Sequence, residues 1–436
     1  MFTATHPLHR LRSVMPTRLT GRVVSISGTT LTVAGFPAPF GAVVHVERDG
    51  QSPIPGEVIG FDQQHTLVYP LDTLTGVRTG TRVRLVRTQR TMAVGEELLG
   101  RVINGHAQAI DSRDAPTLPY RVLLDATPPS ALERPPVDRY WRTGIRAIDG
   151  LLTCGEGQRI GIFAGSGVGK SVTLGMMAQQ SSADINVIAL IGERGREVNH
   201  FLTTQLGAEA LRRSVVIVST SDEPALLRVG AALVATTVAE YFRDQGKHVL
   251  LLMDSLTRLA NAQREVGMAR GELATTRGYP PSVFATLSRL IERGGTSANG
   301  TISAVYTVLV ENDDIHDPIG DAVMGYLDGH IVLSRHLADR GHYPAIDVLA
   351  SKSRLMNELV TAQHRVAAQR LRQAIALLRD NDDLIALGAY RRGADSRLDR
   401  AVDLRDELMR FLQQTNDLSC AIDSLQQVIH LASLLE

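Results

Sequence analysis

A glycine-rich segment that ends in a lysine and a serine is the part of the sequence best suited to bind phosphate. It reads Ala164-Gly165-Ser166-Gly167-Val168-Gly169-Lys170-Ser171 and lies between an apolar run and a stretch with helical periodicity. Glycines let consecutive backbone N–H groups point at one anion, and a helix N-terminus adds partial positive charge. Lys170 would neutralise phosphate oxygens and Ser171 would place its hydroxyl on Mg²⁺. The alternative is a glycine-rich turn with a solvated lysine.

Two carboxylates follow other apolar runs of the chain. Asp254 ends the run that starts at Val249, where a carboxylate would orient Mg²⁺ directly or through water. Glu193 follows the run Val187–Ile191, so it would lie on the sheet edge where α/β proteins hold their ligands. A carboxylate there is a candidate for activating water beside a γ-phosphate. The alternatives are a helix-capping aspartate and a surface turn of paired Glu and Arg residues.

The apolar runs that would position these residues alternate with helical stretches. Strands that are apolar throughout and spaced by helices are typical of a mostly parallel sheet covered on both faces. We therefore predict an α/β P-loop NTPase core. Its predicted strands are Ile160–Ala164, Val187–Ile191, Val215–Ser219, Val249–Asp254, Ile302–Val308 and Gly329–Leu333.

Different patterns precede and follow this core. Between Gly21 and about Val86, short alternating apolar runs separated by turn residues predict a small β-barrel of five or six strands. After about Met356 only helical periodicity remains, with stripes such as Leu371-Ile375-Leu378. A proline-rich stretch around 128–136 predicts a connector with little regular structure. The predicted domains are residues 1–92, 93–357 and 358–436.

Composition excludes several classes of protein. The 436 residues hold 46 basic and 46 acidic side chains, so no net positive field would collect nucleic acid, and we expect no nucleic-acid partner. The chain has no apolar run of about 18 residues, and its first twenty residues have no apolar centre, so neither a membrane span nor a secretory signal is expected. Cys154 and Cys420 lack metal-ligand spacing and cannot form a disulfide framework, which suits a reducing cytoplasm.

Seven motifs, in order along the chain, closely resemble the export ATPases of bacterial flagella and type III secretion systems, which are relatives of the catalytic subunit of rotary ATP synthases. The motifs are GEGQRIGIFAGSGVGKS, GERGREV, LLLMDSLTR, RGYPPSVF, YTVLVE, LDGHIVLSR and HYPAIDVLA. The resemblance covers nearly the whole chain. It implies a RecA-like core between a barrel and a helical C-terminus, and an ATPase that uses ATP and Mg²⁺.

The resemblance also implies roles for individual residues of the site. Lys170 and Ser171 correspond to the phosphate and Mg²⁺ ligands. Glu193 corresponds to the catalytic glutamate that polarises the attacking water. Arg194 and Arg258 resemble arginines that line the γ-phosphate side.

Two further residues take roles from the resemblance that link the nucleotide to its surroundings. Tyr343 stands where the relatives stack an aromatic ring on adenine. Arg354 resembles the arginine finger inserted into a neighbouring subunit's site. A finger that acts in trans implies a head-to-tail ring of identical subunits, and the family's rings are hexamers. The relatives' second adenine wall is aromatic, but the sequence offers no aromatic after Phe411 in that region, so that wall is left unassigned.

The function implied is an ATP hydrolase that powers or primes protein export and dissociates or unfolds chaperone-bound cargo. Stalk and regulator proteins, chaperone–cargo complexes and the export gate at the membrane are the implied partners. The implied location is cytoplasmic, peripheral to the inner membrane, with an arginine-bearing N-terminus (Arg10, Arg12, Arg18) as a candidate membrane-facing patch.

Several alternatives remain open from the sequence. The segments Leu174–Met177 and Leu387–Tyr390 favour the flagellar branch slightly, with a virulence secretion ATPase as the alternative. An RNA translocase of the termination-factor type shares this core, but the predicted barrel lacks clustered aromatics for stacking bases. A non-catalytic ring subunit is a third possibility, and the carboxylate Glu193 argues against it.

Overall fold

The computed structural model describes residues 19–310, 317–415 and 423–435. The N-terminal part is a closed antiparallel barrel with the strand order β1-β2-β5-β4-β3-β6, as the alternating apolar runs predict. Its strands are β1 (Thr20–Ser27), β2 (Thr30–Ala34), β3 (Val43–Arg48), β4 (Gln51–Asp62), β5 (His65–Pro70) and β6 (Arg82–Arg87). The barrel has its own core of small branched side chains such as Val44 and Val68.

A nine-stranded sheet forms the centre of the molecule, in the order β19-β18-β12-β17-β15-β13-β14-β8 with β16 paired to β17. Its strands are β8 (Val102–Asn104), β12 (Arg159–Ala164), β13 (Ile185–Glu193), β14 (Ser214–Thr220), β15 (His248–Asp254), β16 (Gly295–Thr296), β17 (Thr301–Leu309), β18 (Gly329–Leu333) and β19 (Ile346–Ser353). All neighbours are parallel except β16–β17 and β18–β19. The predicted α/β core is therefore confirmed.

Helices cover both faces of this sheet. They are α1 (Arg146–Leu151), α2 (Lys170–Gln180), α3 (Gly195–His200), α4 (Gly207–Arg212), α5 (Ala225–Asp244), α6 (Leu256–Ala269), α7 (Pro281–Glu292), α8 (Pro318–Tyr326) and α9 (Arg335–Asp339), with a π-helical segment at Phe201–Leu206. By length and composition α5 could span a membrane, yet 83% of its most apolar window is buried against β13, β14 and β15. It is the central helix of a protein core.

Short elements join the barrel to the sheet. They are β7 (Thr91–Val94) paired with β9 (Tyr120–Leu123), β10 (Tyr140–Trp141) paired with β11 (Cys154–Gly155), and 3₁₀ turns at Glu96–Leu98 and Ala131–Glu133. All four prolines between 128 and 136 lie outside helices and strands, as predicted for a connector. Cys154 is buried as an apolar residue, and Cys420 lies outside the described residues.

The C-terminal part is helical, as predicted, with α10 (Met356–Leu359), α11 (Ala362–Asp380), α12 (Asp382–Ala386), α13 (Ser396–Asp403), α14 (Arg405–Leu412) and α15 (Ser424–Ser433). Leu371 and Leu378 of α11 and Leu408 and Phe411 of α14 are buried. They belong to the same apolar cluster as α1 and one face of the sheet. The C-terminal helices are thus packed directly onto the part of the molecule that holds the phosphate loop.

Candidate active site

Three strand ends bring the predicted phosphate and carboxylate residues together. Strands β12, β15 and β13 run parallel within one sheet, so their carboxyl ends share one edge. At that edge Lys170 Nζ lies 2.5 Å from Asp254 Oδ1 and 3.6 Å from Glu193 Oε1. A single lysine therefore contacts both of the carboxylates singled out in the sequence.

The phosphate loop has a backbone that requires glycine at two positions. Gly167 and Gly169 have φ angles of 79° and 95°, a left-handed conformation that side chains with a Cβ rarely adopt. Helix α2 begins directly after them at Lys170, so the first N–H groups of the helix face the loop. Gly165 and Val168 are buried, whereas Ser166 and Gly167 are exposed on the rim. The segment has the form of an anion cradle.

Asp254 is a buried carboxylate whose position is fixed by hydrogen bonds. Its residue is 3% exposed, and Oδ1 accepts both from Lys170 Nζ and, at 2.8 Å, from Thr307 Oγ1 on β17. Ser171, in the first turn of α2, is exposed. Among the described residues, no group of three or more His, Cys, Asp or Glu side chains could hold a metal ion alone. Asp254 and Ser171 offer two oxygen donors, so an octahedral cation beside them would need water or phosphate oxygens as well.

Glu193 is buried between Lys170 and Arg258, and one of its carboxylate oxygens accepts no hydrogen bond. Its Oε2 pairs with Arg258 Nη2 at 3.1 Å, while Oε1 has no hydrogen-bond partner in the described part of the chain. Burial, then a hydrogen bond with Glu197 and repulsion from Asp254, raise the pKa of Glu193 to about 7, against the opposing charges of Lys170 and Arg258. A carboxyl group with a pKa near neutrality, and with one oxygen that contacts Lys170 at 3.6 Å but accepts no hydrogen bond, is suited to accept a proton from water once that lysine turns to a phosphate.

The two candidate arginines differ in position. Arg258, in the first turn of α6, pairs with Glu193 and donates to the Gly192 carbonyl. Gly192 has φ 68°, and a Cβ there would lie only 3.1 Å from Arg258 Cδ, so glycine lets the arginine pass. Arg194 points away: its side chain is 76% exposed and pairs with Glu197 at 3.7 Å. The structure brings Arg258 into the carboxylate cluster and leaves Arg194 on the rim.

Tyr343 lies beside the phosphate loop, and the residue is 45% exposed. A Cβ on Gly169 would lie 3.4 Å from the ring, which places Tyr343 against the loop. The ring forms one side of a cleft of about 690 Å³ whose lining includes Val172, Met176 and Pro344. A mainly apolar cleft that is walled by an aromatic ring and adjoins an anion cradle fits a nucleotide base.

The segment Gln413–Thr415 also lines this cleft, which sequence reasoning did not predict. The Gln414 backbone N–H donates to the Tyr343 carbonyl at 2.9 Å. Its buried side chain accepts from Arg146 N at 2.9 Å and donates to Gly144 O at 2.8 Å. Phe411 is instead packed in the apolar core. The signal in the sequence was the polar run that follows the last buried residue of α14.

Arg354 lies far from the phosphate loop of its own chain. It follows β19, whose end pairs with the start of β18, and its backbone N–H donates to Asp328 O at 3.0 Å. Asp328 in turn accepts from Arg159 at the start of β12, whereas the phosphate loop follows the other end of that strand. Six strand residues span roughly 17–20 Å, which is longer than an arginine side chain. Arg354 is exposed and lies at the end of β12 opposite its own phosphate loop.

Comparison with known proteins gives two family models that together match most of the chain beyond the barrel. Residues 144–353 match the nucleotide-binding domain of the ATP synthase alpha/beta family. Residues 360–430 match the C-terminal domain of the type III secretion ATPase EscN.

Individual relatives match along almost their whole length. The flagellum-specific ATP synthase of Bacillus subtilis is 46% identical over 91% of this chain and 91% of its own. The SPI-2 type 3 secretion system ATPase of Salmonella typhimurium is 46% identical over 94% of each chain.

Among solved structures, the assembled ATPase EscN from the type III secretion system of enteropathogenic E. coli superposes with a TM-score of 0.89. It is 45% identical, and the match covers 95% of this chain and 100% of that one. The resemblance inferred from the motifs is confirmed. The chain is a P-loop enzyme that hydrolyses ATP, and it belongs to the family of flagellum-specific and type III secretion ATPases, relatives of the ATP synthase alpha and beta subunits.

Proposed function

We propose that ATP is hydrolysed at the edge formed by β12, β15 and β13, with Lys170, Glu193 and Asp254 as its central residues. The observation that supports this most directly is the contact of Lys170 Nζ with both carboxylates. The backbone of Gly165–Gly169 would cradle the phosphates, with Ser166, Gly167 and Val168 contributing N–H groups. Lys170 would exchange its carboxylate partners for phosphate oxygens when nucleotide enters.

Mg²⁺ fits the donor set beside this loop. Asp254 offers a buried, already oriented carboxylate and Ser171 an exposed hydroxyl, which are the hard oxygen donors that Mg²⁺ prefers. The ion would supply positive charge that offsets the charge of the phosphate oxygens during transfer. We propose that these two residues hold it together with the nucleotide.

Glu193 is proposed to orient the attacking water and take its proton at Oε1, the oxygen that Lys170 would release when it turns to the phosphates. Arg258 would hold the other oxygen, Oε2, and so fix the rotation of the carboxylate. Burial keeps bulk water away and raises the proton affinity of the group. Arg194 would at most adjust this pair through Glu197, since its side chain lies on the rim.

The pH dependence of turnover is expected to report Glu193. Because burial raises its pKa to about 7, the carboxylate is protonated below that pH and cannot accept a proton, so kcat/KM should rise with pH and level off above about 7. Replacing Glu197 with Ala removes a hydrogen bond that raises this pKa, so the rise should move to lower pH. Steady-state ATPase rates between pH 5.5 and 9 test both expectations.

Comparing the wild type with Glu197→Ala distinguishes a titration of the enzyme from a titration of ATP. ATP ionises identically in both assays, so only a change in the protein displaces one profile from the other. Identical profiles for wild type and Glu197→Ala would contradict the assignment of the acidic limb to Glu193.

We further propose that the chain acts as a homo-oligomer, a hexameric ring in which Arg354 serves the neighbouring subunit as an arginine finger. The 17–20 Å between the ends of β12 favours action in trans. The similar EscN has been solved as an assembled ATPase and in complex with its central stalk EscO. We propose an equivalent stalk and associated regulators for this chain, and a division into domains 1–92, 93–357 and 358–436.

The ring is proposed to power protein export by dissociating or unfolding chaperone-bound cargo and passing it to an export gate at the membrane. For this role we propose a cytoplasmic location that is peripheral to the inner membrane. The candidate patch of Arg10, Arg12 and Arg18 lies outside the described residues. Relatives from the flagellar and virulence branches are about equally similar. We favour the flagellar branch on the segments Leu174–Met177 and Leu387–Tyr390.

Deleting the gene in its own bacterium tests this function. Flagellar filament and hook proteins should disappear from the culture medium, and a plasmid copy of the wild type should restore them. A copy carrying Glu193→Gln should not. Loss of secreted virulence proteins alone would assign the chain to the other branch, and unchanged secretion of both groups would contradict an export function.

A further inference from the structure

The turn that carries Arg354 is held by a buried side chain from the start of the phosphate-loop strand. Gln158 directly precedes β12 and is 0% exposed. Its Nε2 donates to Ser353 Oγ at 3.0 Å and to the Asp328 carbonyl at 3.1 Å. Its Oε1 accepts from Gly155 N at 2.9 Å. The amide therefore has partners at both ends, and two of them lie on or beside the turn.

A second set of bonds fixes the same turn from Asp328. The Asp328 carbonyl accepts from the Arg354 backbone N–H at 3.0 Å. Its carboxylate Oδ2 accepts from Arg159 N at 3.0 Å and Arg159 Nε at 3.1 Å. Ser353 Oγ also donates to Thr153 O at 2.8 Å. Hydrogen bonds thus tie the backbone of the turn to β12 from two sides.

The head of Arg354 is held much less. The residue is exposed, and its guanidinium donates to the Met324 carbonyl at 3.3 Å on the protein surface. A fixed base and an outward-pointing head form the geometry needed to deliver a charge into another molecule. Misplacing such a group lowers the rate of the catalysed reaction strongly, because a shift of about 1 Å can lower that rate by a factor of about 10².

We propose that Gln158 is a positioning residue for the arginine finger: it holds the Ser353–Arg354 turn so that Arg354 reaches the nucleotide bound by the neighbouring subunit. The proposal rests on the proposed function in trans. Replacing Gln158 should therefore slow hydrolysis in the neighbouring subunit, although Gln158 directly precedes the strand that leads to the phosphate loop of its own subunit.

Gln158→Met keeps the volume and removes the amide. We expect kcat to fall about ten- to a hundredfold with KM for ATP unchanged, since only a transition-state contact is displaced. Ser353→Ala should act in the same direction and Ser353→Thr should retain activity. Ser351→Ala is the matched control: it removes a hydroxyl of the same strand that donates to Asp347 O and accepts from Val332 N, away from Gln158, and it should leave kcat unchanged. Thermal unfolding of each variant gives the fraction of folded protein at the assay temperature, and kcat is calculated for that fraction.

Mixed rings decide between an effect in trans and one on the variant's own loop. Gln158→Met subunits are combined with an excess of Lys170→Ala subunits, which cannot hydrolyse ATP but donate a correctly held Arg354. Turnover per Gln158→Met subunit should recover to near the wild-type value. An excess of the double variant Lys170→Ala/Arg354→Ala should give no recovery.

No recovery with Lys170→Ala subunits would overturn the proposal. The separate mixture of Lys170→Ala with Arg354→Ala subunits then tells which idea has failed. If that mixture is active, the finger acts in trans and only the role of Gln158 is wrong. If it is inactive despite co-assembly, the trans finger is wrong as well.

Discussion

Glu193→Gln is expected to lower kcat by about 10²–10⁴ while ATP still binds. The substitution preserves the shape of the side chain and removes the group that accepts the proton of the attacking water, and general-base catalysis contributes a factor of that size. Lys170 and the glycine loop, which would hold the phosphates, are unchanged. Single-turnover hydrolysis and equilibrium binding of a fluorescent ATP analogue measure the two properties separately.

Glu197→Gln is the matched control for this experiment. It is the same chemical change four residues further on, at a side chain that is 38% exposed and pairs with Arg194 on the rim. It should retain turnover at pH 8. Near-normal hydrolysis by Glu193→Gln would disprove the role proposed for Glu193, and loss of ATP binding by that variant would assign Glu193 to binding instead.

Arg354→Ala is expected to lower the rate by about 10³–10⁵, the value of an arginine finger in comparable enzymes. Lys170→Ala should be equally inactive because its own phosphate loop lacks the lysine. When the two inactive proteins are mixed, interfaces that combine an intact loop from one subunit with an intact arginine from the other should hydrolyse ATP. The rate as a function of mixing ratio should pass through a maximum.

Co-purification through two different affinity tags shows that mixed rings have formed. A mixture that co-assembles and stays inactive at every ratio would contradict action in trans. Activity in Arg354→Ala alone, within a few fold of wild type, would contradict the finger assignment itself.

Much of this site could be predicted because its residues stand at strand ends. A run of apolar residues such as Val249–Met253 predicts a buried strand, and parallel strands bring their last residues to one edge. The sequence alone therefore predicts that Lys170, Asp254 and Glu193 lie together at this edge. The barrel could be predicted for a similar local reason, because alternation along each strand fixes which face is inside.

Other parts depended on contacts between segments distant in the chain. The segment Gln413–Thr415 is marked in the sequence only by its polar character, and the packing of the C-terminal helices onto α1 is what brings it to Tyr343. The resemblance to the family implied the same role, beside the γ-phosphate, for Arg194 and for Arg258. The structure separates them: Arg258 reaches the carboxylate from α6 past Gly192, whereas Arg194 follows Glu193 in the chain and its side chain lies in solvent.

The hydrogen bond from Gln414 to the Tyr343 carbonyl links the C-terminal helices to the rate at which a nucleotide would leave the site. It joins the loop that carries Tyr343 to the residues after α14, so a force applied to the C-terminal helices would reach a base held in the Tyr343 cleft as proposed. Opening this cleft would shorten the residence of ADP, and closing it would lengthen that residence. The turnover of each subunit would then depend on the mechanical load carried by its C-terminal helices.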